Sequence, residues 1–265
     1  MTIFQALILG IVQGLTEFLP VSSSGHLLLV QKALGIHETG FAFDVALHFG
    51  TLLALLIYFY RDLVVLIKSI FVKSKHTRMA WLLIGATIPA AVIGFLLESA
   101  AESAFRSAAL VAINLAVFGA IMLFADHFSR RYQKPVKLDD ITTKQALTMG
   151  FAQAVAVVPG VSRSGSTITA GLLLGLDRVA ATRFSFLLGI PITSGAVLKV
   201  MLKASAIGQI QDHTSIFVVG VAMAFVSGLF AIKFMLNYLG RHSLAVFAYY
   251  RFALAAVVLL VMVVK

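Results

Sequence analysis

Two short stretches of this sequence carry nearly all of its chemistry-bearing side chains. The first runs from Gln13 through Glu17, Ser22, Ser23, Ser24 and Gly25 to His26. Gln13 and Glu17 are four residues apart, so on a helix they share one face. Three hydroxyls, a glycine and an imidazole follow. The second stretch is Pro159-Gly160-Val161-Ser162-Arg163-Ser164-Gly165, with Thr167 one turn further on. Both lie inside otherwise apolar blocks, where an ionisable residue is costly and marks a functional site by default. A guanidinium cannot shed its charge. Arg163 therefore needs an anion, which is either Glu17 or a ligand. Its planar fork suits phosphate. Serines and glycines opening short helices would add free backbone N–H groups, a ready anion site. Two such N-termini facing each other would cradle a pyrophosphate. The structural alternatives are Ser-rich breaks that only permit close packing and an Arg163–Glu17 ion pair with no ligand. Asp44 and His48, four apart, and Arg251 are expected to support this site from outside, although Arg251 near a span end could instead snorkel.

The composition sets the elements that must hold these groups. Of 265 residues, 60% are apolar and 12% charged. Soluble domains are nearer 45–50% and about 25%, so a water-soluble enzyme and a disordered chain are both excluded. A net charge of +10 would suggest nucleic acid in a soluble chain. Here it is assigned to topogenic loops and anionic lipid, and no nucleic-acid partner is expected. Cysteine is absent, which removes disulfides, thiol nucleophiles and thiolate metal sites. The first apolar block lacks a basic n-region and is read as mature protein rather than a signal peptide.

A helix needs roughly 20 apolar residues to cross about 30 Å of hydrocarbon. Six blocks qualify: 41–60, 79–97, 108–125, 184–202, 215–236 and 244–264. Blocks 3–34 and 146–176 are each broken by one of the motifs, and the arm after the break is only about ten residues, which reaches mid-membrane. Both read as re-entrant hairpins, whose irregular backbone is tolerated where it lines a protein or water-filled cavity. The chain also repeats at an offset of 140. Ala6-Leu7, Gly10, Gln13, Ser22, Ser24 and Gly25 match Ala146-Leu147, Gly150, Gln153, Ser162, Ser164 and Gly165. Each unit is a broken hairpin plus three spans, about 1–128 and 140–265, within a single membrane domain. Three is odd, so the second unit enters from the opposite side. The fold class expected is an all-α polytopic membrane protein with an inverted-topology repeat. Loops 61–78, 126–145, 177–183 and 237–243 carry thirteen of the basic residues, against Lys32, Arg106, Lys203 and Lys265 on the other side. The basic side is expected to be cytoplasmic, with both termini outside.

Gln13 to His26 resembles the first signature of the bacterial undecaprenyl-diphosphatase (bacitracin-resistance, BacA-type) family. Pro159 to Thr167 resembles its second, Pro-Gly-x-Ser-Arg-Ser-x-x-Thr. The resemblance covers essentially the whole chain. Gln13 is the glutamine version of a position that can be glutamate. The resemblance implies removal of the terminal phosphate from undecaprenyl diphosphate, which recycles the lipid carrier for peptidoglycan synthesis and confers bacitracin resistance. It also implies an inner-membrane protein whose site opens to the periplasmic side. On that footing Arg163 clamps the diphosphate, and Ser22, Ser24, Gly25, Ser162, Ser164 and Thr167 bind its oxygens. Ser23 is the expected nucleophile with His26 as its base, and water activated by His26 or Glu17 is the competing route. Glu17 with Gln13 would hold a Mg²⁺ or Ca²⁺. The partners expected are a polyprenyl diphosphate lipid and membrane lipid, and a homodimer is left open. Two other classes stay in view. One is a transporter of a polyprenyl phosphate, because inverted repeats with broken helices are transporter architecture. The other is an intramembrane serine protease, which would have no use for Arg163.

Overall fold

The computed structural model describes residues 1–36, 41–97 and 107–264. His37, Arg106 and Lys265 lie outside that range. Twelve α-helices are described. The first hairpin is α1 (Ile3–Phe18) and α2 (Ser23–Ala33). After it come α3 (Phe41–Tyr58), α4 (Tyr60–Phe71), α5 (Thr77–Leu96) and α6 (Ala108–Ser129). The second hairpin is α7 (Thr143–Val155) and α8 (Arg163–Leu173). Then α9 (Arg178–Met201), α10 (Ala204–Asp212), α11 (Thr214–Leu239) and α12 (Ala245–Val264) close the chain.

All six apolar blocks are helical, and both broken blocks are hairpins. The arms α2 and α8 are 11 residues each, or about 16 Å at 1.5 Å per residue. One block departs from a straight span. The chain turns by 80° between α3 and α4, so the expected loop 61–78 is largely helix. The reason lies in the pattern after the turn. Leu63, Leu66 and Ile70 pack on the core while Arg61 and Lys68 face outward, so α4 is two-faced and lies across the end of the bundle. The loop expected at 177–183 is likewise the first turn of α9, capped by Asp177 on the Ala180 N–H at 2.6 Å.

The 140-residue offset is written into the local structure. Thr2 and Gln5 form a capping box, and so do Thr142 and Gln145. Gln5 Nε2 then donates to the Leu34 carbonyl at 3.4 Å, and Gln145 Nε2 to the Leu174 carbonyl at 3.0 Å. In each half this bond ties the entrance of the hairpin to its exit. Helix pairing is exchanged between halves as well. Helix α1 packs on α11, and its counterpart α7 packs on α5, the counterpart of α11. Helix α3 packs on α11 as α9 does on α5, and α6 packs on its own counterpart α12. This is the pattern of a two-fold relation between the halves. The close α1–α11 approach needs Gly14, where a Cβ would run into Ser227 Oγ and the Ala224 carbonyl. That contact lies midway along α11, within two turns of the first break.

Candidate active site

The two breaks meet in the interior. Ser22 and Ser162 are the N-caps of α2 and α8, and both have positive φ, 74° and 78°. L-residues seldom adopt this conformation, and it costs of order 1–3 kcal/mol per residue. What the turn gains is a hydroxyl aimed at the helix start. Ser22 Oγ accepts from the Gly25 N–H at 3.4 Å and Ser162 Oγ from the Gly165 N–H at 3.1 Å. Ser22 Oγ also accepts the Gly160 N–H of the opposite break at 3.1 Å, and Ser164 Oγ donates to the Leu19 carbonyl at 3.2 Å. The hydroxyls of Ser22, Ser162 and Ser164 thus build the backbone. Thr167 does the same. Its hydroxyl lies on the Arg163 carbonyl at 2.8 Å and against Ser185 Oγ at 2.5 Å. In this structure these four hydroxyls bond to the protein itself. The N–H groups of Ser23, Ser24, Arg163 and Ser164 precede the first intrahelical bonds and are the donors left for an anion.

Glu17 is the centre of the side-chain network. It is 7% exposed and both its oxygens are engaged. Oε1 takes Arg163 Nη2 at 2.5 Å. Oε2 accepts the Ser23 hydroxyl at 2.6 Å and Gln13 Nε2 at 3.0 Å. His48 Nε2 is 3.6 Å from Oε2, an ion pair whenever that ring is protonated. So His48 stands against the carboxylate itself, closer than the sequence implied. Asp44 stays further out, accepting from Gln31 Nε2 at 2.7 Å.

The expected Ser23–His26 pair is not formed. Ser23 is the first residue of α2, and its side chain leans toward the helix N-terminus, where Glu17 waits. The His26 ring is held elsewhere. Nδ1 lies 2.7 Å from the Ser22 carbonyl, one turn back, and Nε2 lies 2.7 Å from the Tyr250 hydroxyl. A carbonyl only accepts, so Nδ1 carries the proton. In the neutral ring Nε2 is then the basic nitrogen, and Tyr250 donates to it.

Arg251 is 1% exposed and does not snorkel. Its five bonds all go to backbone carbonyls: Pro20 and Val161 from Nη1, Asn114 and Gly160 from Nη2, and Leu115 from Nε, between 2.7 and 3.2 Å. One guanidinium therefore joins both breaks to α6. Asn114 adds a bond to the Pro159 carbonyl at 2.8 Å.

Three contributors were not singled out from sequence. Tyr250 is one of two adjacent tyrosines just before Arg251 in the last apolar block. Gly189 reads as one more small residue in a span, yet a Cβ on it would overlap Arg163 Nη1, so its bare backbone is the seat of the guanidinium. Asn114 gave no signal, being an isolated amide in an apolar run.

No cluster of three acidic, histidine or cysteine ligands occurs among the described residues. Among the described residues two buried side-chain oxygens lack a partner, Gln13 Oε1 beside Glu17 and Gln153 Oε1 in the other half, and the one next to the carboxylate is the one placed to help hold a hard cation.

The fold and site together define a polytopic helical membrane protein with an acid–hydroxyl–guanidinium site at the junction of two re-entrant hairpins. The chain belongs to the bacitracin resistance protein BacA family, which matches residues 6–257. Among curated relatives, it is 48% identical to an undecaprenyl-diphosphatase from Gemmatimonas aurantiaca, over 97% of each chain. It is 47% identical to one from Rubrobacter xylanophilus, over 97% of each, and 44% identical to one from Moorella thermoacetica, over 98% of each.

Proposed function

We propose that this protein hydrolyses undecaprenyl diphosphate to undecaprenyl phosphate and inorganic phosphate at the junction of its hairpins. The observation that carries this reading is the Ser23 hydroxyl bonded to Glu17, which also binds Arg163 from the opposite half. Phosphoryl transfer is mostly positioning and charge stabilisation. The diphosphate lies against the free N–H groups of α2 and α8. Arg163 Nη1, buried without a partner, is the donor left for a phosphoryl oxygen. Ser23 Oγ attacks the terminal phosphorus while Glu17 Oε2 takes its proton. The anhydride P–O bond breaks, and undecaprenyl phosphate leaves with the bridging oxygen. Water then attacks the phosphoserine with His26 Nε2 as base. Phosphate departs and Ser23 regains its proton. Gln13 Oε1 and Glu17 are the groups that would hold a Mg²⁺ or Ca²⁺. Such an ion supplies neutralisation of the diphosphate charge. Loss of phosphate release on chelation, restored by adding either ion back, tests that assignment.

In this reading the protein sits in the bacterial inner membrane with loops 61–78, 126–145, 177–183 and 237–243 in the cytoplasm. Both termini and the site opening face the periplasm. All the site residues come from one chain, so no second copy is required for the chemistry.

A lipid-phosphate transporter is the second reading. It is favoured by the two-fold architecture. The deciding experiment is phosphate release from undecaprenyl diphosphate by purified protein in detergent, where there are no two sides to transport between. Release supports the enzyme. Its absence, with lipid movement in vesicles, supports the transporter.

A further inference from the structure

The two halves share a fold, yet they hold their second hairpin arms differently. Helix α8 packs firmly on both α6 and α9. Among the described residues its counterpart α2 makes no comparable packing on the matching helices, α12 and α3. The helix starts differ in the same sense. Ser164 is buried at the start of α8, whereas its mate Ser24 is exposed at the start of α2. The site therefore opens on the α2 side, through the two seams that flank this helix.

Those seams have opposite chemistry. Between α2 and α3 the facing groups are polar: Gln31 bonded to Asp44, then His48, with Glu17 behind it. Between α2 and α12 the groups are apolar. Leu28 and Leu29 from α2 and Leu254 from α12 each pack on a small cluster of Val111, Ala112, Leu115, Ala255 and Val258, which α6 and α12 supply. Val246 and Val257 share the helical face of Tyr250 and are about half exposed. The sole hydrogen bond recorded across this seam among the described residues is His26 to Tyr250, with the two rings stacked at 5.6 Å and 9°.

We infer that the seam between α2 and α12 is the portal for the isoprenoid chain of the substrate, and that the His26–Tyr250 bond is the latch across it. The inference rests on the diphosphatase reading. A polyprenyl diphosphate has a highly charged head and a long apolar tail, and both must be accommodated at once. The head belongs at the helix N-termini, beside Glu17 and Arg163. The tail must leave that point through apolar walls and end in lipid. The α2–α12 seam supplies such walls and begins at exposed Ser24. The α2–α3 seam, lined by an amide, a carboxylate and an imidazole, is the route for water and released phosphate. A tail threaded between α2 and α12 parts His26 from Tyr250. Nε2 is then released when substrate is seated, and it stays free to activate water until the undecaprenyl phosphate product withdraws from the seam.

Since the chain has no cysteine, an introduced pair can be joined without side reactions. Leu29→Cys with Leu254→Cys is bridged by a short, reducible, thiol-reactive linker. A control bridge joins α5 to α9 away from the seam by Phe95→Cys with Lys199→Cys, positions already in contact at 4.9 Å. Phosphate release from undecaprenyl diphosphate is measured before bridging, after bridging and after reduction. The seam bridge is expected to lower turnover at least tenfold, with recovery on reduction, while the control bridge leaves it within twofold. Undiminished turnover with the seam bridged overturns the portal, and so does equal loss from both bridges. If the unbridged variants and the wild-type protein all fail to release phosphate, the diphosphatase reading falls and the portal with it.

Discussion

Arg251→Lys puts the architecture to its most direct test. The guanidinium satisfies carbonyls at five positions, three of them in the two breaks and two on α6. Lysine keeps the charge but has three donors on one nitrogen. The Asn114 and Leu115 carbonyls lie inside α6 and keep their helical partners, so the loss falls on the Pro20, Gly160 and Val161 carbonyls, which two separate guanidinium nitrogens serve. One ammonium nitrogen cannot reach both breaks as that fork does, and the site is too buried for water to replace it. An unsatisfied buried group costs about 1–3 kcal/mol, so the loss of one carbonyl's partner should cost that much. For a chain of this size that is on the order of 2–12 °C, at roughly 2–4 °C per kcal/mol. The assay is the fraction of detergent-solubilised protein that stays monodisperse after heating, with exposed Arg241→Lys as the control. Turnover should fall as well, because the same bonds fix where both helix N-termini point. A midpoint within a degree of the wild type, with full activity, would refute the claim that this side chain holds the breaks together.

Ser23→Ala should abolish phosphate release while leaving diphosphate binding intact, whereas a residual rate within roughly tenfold, the loss of one hydrogen bond at about 0.5–1.5 kcal/mol, would hand the attack to water. Gly189→Ala should lower turnover by at least about tenfold without unfolding the helix, because the added methyl displaces Arg163 and a charge-assisted bond is worth about 1.5–3 kcal/mol; unchanged kinetics would show that the guanidinium needs no such seat. Reporter fusions after Lys265 should read periplasmic and fusions within 126–145 cytoplasmic, and a cytoplasmic C-terminus would break the inverted arrangement.

Much of this was legible in the sequence because the membrane enforces simple rules. An 11-residue arm cannot cross, and a motif repeated at one offset puts two like elements in one place. What stayed hidden depends on direction rather than on period. Ser23 and His26 are one turn apart, but at a helix start the first side chain leans back out of the helix while the fourth can bond the N-cap carbonyl. The spacing suggested a pair where the geometry made two separate contacts. Arg251 was visible as a charge in a span, but its carbonyl partners lie up to 231 residues away in sequence and leave no local trace. The 80° turn after α3 was hidden because apolar residues run on through it.

The two-fold relation has a further consequence for Glu17. Ser23 and Arg163 are mates under the 140-residue offset, and Glu17 is bonded to both. A side chain that touches both members of a mated pair must lie near the axis that relates them. Its own mate must lie near that axis too, and that mate is Val157. A glutamate at both positions would crowd two carboxylates into one spot in a medium of low dielectric, where both cannot stay ionised. The pair would share a proton, and neither would serve as a dependable base or arginine partner. A valine at the mated position leaves Glu17 with no rival carboxylate. The scaffold repeats, while the site is built where the repeat fails, at Glu17 against Val157 and Ser23 against Arg163.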